Sequence, residues 1–127
     1  MAEVEVLEQK RAKLAWDFIQ EIKNMHNNDQ KDFKSAIRKL PAMLLTSGLG
    51  QTVAFHLSKG KDKPHYKIIE NVAKALEKLT KIYDIGDADS FIKKISNCNH
   101  ETYIILANEA LKYITWLKRF AEAELEG

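Results

Sequence analysis

Residues 33–57 read FKSAIRKLPAMLLTSGLGQTVAFHL, and the fold turns on this stretch. Phe33, Ile37, Leu40 and Leu44 recur at spacings of four, three and four, which puts them on one side of a helix that must face a core. Pro41 lies inside the stripe without disturbing its register, so the helix either kinks there or restarts with Pro41 in its first turn. Ser47-Gly48-Leu49-Gly50 then supplies a stop. Gly48 suits the left-handed conformation that closes a helix end, and Gly50 with Thr52 lets a second helix begin at once, carrying Val53, Ala54 and Leu57 inward. A helix-corner-helix this apolar cannot stand alone, and other helices must pack against it.

On its N-terminal side a first helix is expected over about residues 4–25, ended by His26-Asn27-Asn28-Asp29. Its inward stripe is Val4, Leu7, Arg11, Leu14, Phe18, Ile22 and Met25. Arg11 breaks this stripe, and its guanidinium must find a carboxylate or carbonyls, or reach past the helix to a ligand or partner. Asp29 or Asp32 is placed to cap the second helix.

On the C-terminal side, Gly60-Lys61-Asp62-Lys63-Pro64 forms a loop, and Pro64 suits the opening turn of a helix over residues 64–83. Ile69, Val72, Leu76, Leu79 and Tyr83 are its apolar stripe. An acidic loop from Asp84 to Asp89 follows, with Asp87, Asp89 or Ser90 as caps for a short helix over residues 90–96. The acidic spacing misses the alternate-position pattern of a calcium loop, and no closing glutamate follows in place. A last helix over residues 100–124 has one stripe of Tyr103, Leu106, Ala110, Tyr113, Leu117 and Phe120 and another of Ile104, Ala107, Leu111 and Ile114. So wide an apolar face implies contact from several sides. Trp116 and Phe120 are expected in the core. No strand periodicity appears, so the fold class is all-α: a single domain of 127 residues built as an irregular bundle of five or six helices.

Composition narrows the function. The only cysteine, Cys98, has no internal disulfide partner, which fits a reducing, cytoplasmic setting. The first residues alternate Glu with Val and make no signal peptide, and the apolar runs are too short to span a bilayer, so no membrane partner is expected. Net charge is only +2, but its distribution is uneven. Lys31, Lys34, Arg38, Lys39, Lys59, Lys61, Lys63 and Lys67 stand against Asp32 and Asp62, a local excess of six positive charges in an otherwise acidic chain. Lys31, Lys34 and Arg38 form a row on the flank away from the apolar stripe. Such a cluster is either a solvated face or an edge for nucleic-acid phosphates.

Catalytic and cofactor patterns are lacking. Gly48-Leu49-Gly50 has Val53 where a dinucleotide fingerprint needs its third glycine, and no strand precedes it. No Gly-Lys-Ser/Thr is present for a phosphate loop, and Cys98 with His100 gives only two of the ligands that zinc needs. His56 is best read as a partly buried imidazole with a hydrogen-bond partner. A non-enzymatic binding or scaffolding protein with no cofactor or metal is expected.

Three blocks carry a family resemblance. Leu7-Glu8-Gln9-Lys10-Arg11 opens the chain, and the middle holds Leu40-Pro41-Ala42-Met43-Leu44 and then Gly48-Leu49-Gly50-Gln51-Thr52-Val53-Ala54-Phe55. The third block is Glu109-Ala110-Leu111-Lys112-Tyr113-Ile114-Thr115-Trp116-Leu117-Lys118-Arg119-Phe120-Ala121. Together they resemble the small subunit of the type III-B CRISPR effector, the Cmr complex of antiviral defence. The resemblance implies an all-helical, non-catalytic subunit whose copies stack along guide RNA and target RNA. Its neighbours would be the backbone subunits and the large polymerase-like subunit. On that reading the cluster from Lys31 to Lys67 becomes a phosphate-contacting edge, and Arg11, Lys118 and Arg119 become contacts to RNA or to another subunit. The alternative is a helix-turn-helix-like DNA-binding protein that uses the corner at Gly48 as its turn, with Gln51 and His56 on the recognition helix.

Overall fold

The structure is a computed structural model that describes residues 2–127, with side chains described from residue 6 onward. Among these residues are five helices and no strand: α1 (Ala2–Lys23), α2 (Asn27–Leu57), α3 (Pro64–Thr80), α4 (Ala88–Asn97) and α5 (His100–Glu124). None of them is long and apolar enough to cross a membrane. α5 packs against α1, α2 and α3 at once, as its broad apolar face requires, and α4 closes the bundle against α2 and α3. The core is one cluster to which every helix contributes, with Ile19, Ile37, Leu40, Ile68, Leu76, Phe91, Leu106 and Leu117 all but withdrawn from solvent.

The α2 stripe of Phe33, Ile37, Leu40 and Leu44 is buried as its spacing requires. The helix passes through Pro41 without leaving helical φ/ψ, so it neither restarts nor ends there. The break is at Gly48, whose φ of 84° and ψ of 168° divide α2 into arms of residues 27–47 and 49–57. Its φ is positive as expected, but its ψ is extended rather than left-handed helical, and this region of backbone space belongs almost entirely to glycine. The second arm therefore starts with amides that lack helical partners. One of them is satisfied from outside, because the Gly50 amide donates to the Tyr103 hydroxyl of α5 at 3.1 Å.

Several boundaries and faces differ from the sequence expectation. In α1 the buried line is Arg11, Ala15, Ile19 and Ile22, with Leu7, Leu14 and Phe18 flanking it and Met25 exposed; the side chain of Val4 lies outside the described residues. Neither Asp29 nor Asp32 caps α2, because the N-cap is His26 with no side-chain bond. Buried Gln30 serves that region instead, donating to the carbonyls of Lys23 and Met25, both at 3.0 Å, and accepting the amide of Glu126 at 3.1 Å. In the second arm Val53 is buried, Leu57 half-buried and Ala54 exposed, while Leu49, Thr52 and His56 take inward places. Tyr83 falls beyond the end of α3 and is 64% exposed. The acidic loop is anchored by fully buried Ile85, whose amide donates to Glu77 at 3.2 Å, and Asp87 caps α4 by accepting from Ser90. α5 has the expected bounds, with Asn99 as its cap, and Tyr113 donates to Asn71 at 2.6 Å from a fully buried position that pushes its phenol pKa up.

A Cβ on residue 48 would meet only the Tyr103 hydroxyl, at an ordinary 3.7 Å, so Gly48→Ala tests backbone strain without a steric clash. The substitution should lower stability by about 1–3 kcal/mol in thermal or urea melts. A melt like that of the parent would mean that the corner tolerates a side chain.

Candidate nucleic-acid interface

The cationic cluster is assembled by the corner in α2. On an unbroken helix Lys39 and Lys59 would stand about 30 Å apart. In the folded chain both ammonium groups lie close enough to His65 to oppose its protonation. Lys39 shares a surface cleft of about 260 Å³ with Asp32, Ser35, Lys63, Pro64 and His65, which joins the first arm of α2 to the start of α3. From the turn that follows the second arm, Lys59 holds its ammonium 4.6 Å from the centroid of the Phe55 ring. Lys39 of the first arm and Lys59 and Lys63 of the α2–α3 connection thus converge around His65, with Asp32 as the carboxylate in the cleft wall.

A set of aromatic rings adjoins these cations, with Phe55 under Lys59. The Phe55 ring is 5.3 Å from that of His56 and 6.3 Å from that of His65, edge to face in both cases. His56 is 1% exposed, and its Nδ1 lies 2.7 Å from the Thr52 carbonyl, so that nitrogen donates and the ring is fixed. Burial, more complete than the sequence suggested, lowers the His56 pKa from its ordinary value against the opposing effect of the Thr52 hydrogen bond, and His65 and Lys59 lower it further. His65 is lowered by burial first, then by Lys59 and Lys39, with Asp32 acting in the other direction. With both imidazoles disfavoured as cations, the positive charge of this surface rests on Lys39, Lys59 and Lys63.

The other candidate residues divide. Lys31, Arg38, Lys61 and Lys67 are exposed, as a phosphate edge requires. Lys34 is not part of an exposed row: it is buried, and its ammonium donates to the carbonyls of Leu125 at 3.1 Å and Gly127 at 3.0 Å. It faces inward because the segment after α5 folds over the start of α2, a contact between residues some ninety positions apart in sequence. Arg11 is buried too. Its Nε and Nη2 donate to both carboxylate oxygens of Glu109 on α5 while Nη1 donates to Glu8 at 3.0 Å, and these bonds raise its pKa, the Glu109 bond foremost. Arg119 is exposed and Lys118 half-buried. Arg119 lines a second groove, of about 620 Å³, with Glu8, Arg11, Leu111, Lys112, Thr115 and Trp116. There Trp116 is half-buried and donates to Glu8 at 2.9 Å, and Phe120 packs between Trp16 and Trp116. Among the described residues no group of three or more His, Cys, Asp or Glu side chains could hold a metal ion. The recognition-helix reading fails at His56, which faces the core and cannot reach a base edge.

Phe55 and His65 were not among the site residues expected from sequence. The spacing of Phe55 and Lys59 by four places them on one helix face, which was a usable signal. The nearness of His65 to Lys39 had no sequence signature.

Five helices around one core, with a cationic cleft next to a set of packed aromatic rings, define a small all-helical bundle. The family model for the CRISPR-associated protein (Cas_Cmr5) matches residues 7–124, and the chain belongs to that family. It is similar to the CRISPR system Cmr subunit Cmr5 of Thermotoga maritima, with 27% identity over 119 residues that cover 91% of this chain and 82% of that protein. The crystal structure of a CRISPR-associated Cmr5 family protein from Thermus thermophilus shares the fold, with a TM-score of 0.80 at 24% identity, covering 94% of this chain and 98% of that one.

Two measurements test this geometry. Glu109→Leu takes from the buried Arg11 guanidinium its principal partner and should cost about 3–5 kcal/mol, whereas replacing Arg11 and Glu109 together by leucine should cost much less. The second concerns pH. Because the folded-state pKa values of His56 and His65 lie below 6.5, their contribution to stability is complete above pH 6.5 and is lost as pH falls from there through the lowered folded-state values. The Tm should therefore decline on acidification from about pH 7 to 5, before most carboxylates titrate, and less steeply in His56→Gln. An equal slope in both proteins would remove His56 as a source.

Proposed function

We propose that this chain is a non-catalytic small subunit of a cytoplasmic, RNA-guided type III-B effector complex in antiviral defence. Its copies line up along guide RNA and target RNA, beside the backbone subunits and the large polymerase-like subunit. Family membership supports the complex, and the convergence of Lys39, Lys59 and Lys63 carries the RNA contact. In a guided complex base pairing reads sequence, so an accessory subunit needs a cationic edge for phosphates and surfaces for its neighbours, and nothing that distinguishes bases. The exposed Lys31, Arg38, Lys61 and Lys67 extend that edge. For the neighbours we assign the side of the bundle that carries the α1–α5 groove with Arg119, and the exposed Ile104 and Ile105 of α5. Lys34 and Arg11 hold the fold and leave the list of RNA contacts.

Three ammonium groups reach few phosphates, so the lone chain should bind RNA weakly, and affinity should grow as copies share one strand. Changing Lys39, Lys59 and Lys63 together to Glu should leave the Tm nearly unchanged. Target-RNA affinity of the assembled complex should fall, and the slope of log affinity against log salt should flatten by about two for each copy in contact. Wild-type affinity with an unchanged slope would reduce the cluster to a solvated face.

A further inference from the structure

Phe55 is 41% exposed beside the Lys59 ammonium, and a phosphate edge alone gives it no task. A lone exposed aromatic would be unremarkable on a protein surface. This one is held in place: its own helix arm is set by the Gly48 corner, the buried His56 packs against it, and His65 flanks it from α3. Its other close neighbour is the Lys59 ammonium, exposed and on a flexible stem. A rigid π-face bordered by ammonium groups matches the two needs of an unpaired nucleotide, which brings a flat base and a phosphate.

From this geometry we infer that Phe55 is a stacking platform for one unpaired nucleobase, with Lys39, Lys59 and Lys63 holding the flanking phosphates. The inference rests on the RNA-contact reading above and gives it a ligand form: single-stranded RNA, bound without base preference because every base has a π-face. Lys59 lies over the ring in the free protein. Binding exchanges that contact, weak at an exposed site, for an ion pair with the incoming phosphate and opens the ring face to the base. A paired base is already stacked within its duplex and cannot use the platform, so the site prefers single strands.

The test uses the full chain and a ten-nucleotide RNA carrying one 2-aminopurine, whose fluorescence is quenched by stacking, alone and annealed to its complement. The wild type should quench the single strand on binding and prefer it to the duplex at least about fivefold, the lower end of what one stacked base contributes. Phe55→Ala and Phe55→Leu should lose both the quench and the preference, Phe55→Trp should keep them, and the salt slope should stay the same across the series because the lysines are intact. Phe55→Leu retains apolar packing, and matching melts for it and the parent make the comparison valid if the alanine variant loosens the fold. Equal affinity of the wild type for both strands, or a quench and preference that survive in Phe55→Leu, would overturn the platform. Failure of the phosphate edge reads out separately, as a salt slope that the lysine substitutions leave unchanged.

Discussion

The backbone at Gly48 is the constraint on which the rest depends. One residue with positive φ and extended ψ bends what would otherwise be a thirty-one-residue helix into two arms, and each arm can then lay its own apolar face on the core. The first arm supplies Phe33, Ile37, Leu40 and Leu44, and the second supplies Leu49 and Val53. Tyr103 closes the corner from α5, taking up an amide that the break leaves without a helical acceptor, so the bend is tied to the helix that touches most of the bundle. The same bend brings Lys59 and Phe55 alongside Lys39 and His65. Fold and candidate site therefore share one cause.

Polar groups buried in the bundle join parts of the chain that are distant in sequence. Arg11 and Glu109 join α1 to α5, while Gln30 and Lys34, one turn apart on α2, hold the main chain that follows α5. Such groups stabilise the fold only when each is fully partnered, since a buried charge without its partner is far costlier than an apolar residue in the same place. They specify which helix meets which, something a core of Leu and Ile alone leaves loosely defined. Their positions also separate structural from surface charge: Lys34 and Arg11 are part of the architecture, and Lys39, Lys59 and Lys63 face outward.

The amino-acid sequence by itself determined the all-helical class, the burial of the stripe from Phe33 to Leu44, the positive φ of Gly48, a cap for α4 within Asp87 to Ser90, the bounds of α5 and the family resemblance. These rest on local physics, namely helical periodicity, short-range hydrogen bonds and the conformational freedom of glycine, all of which act over a few residues. Tertiary structure alone decided that Lys34 turns inward, that Arg11 meets Glu109 ninety-eight positions away, and that His65 stands beside Lys39. Helical periodicity locates a face but not what lies opposite it. A cation three or four residues from other cations looks solvated until a distant segment covers it, and a cleft walled by the first arm of α2 and the start of α3 exists only once the chain between them has turned back.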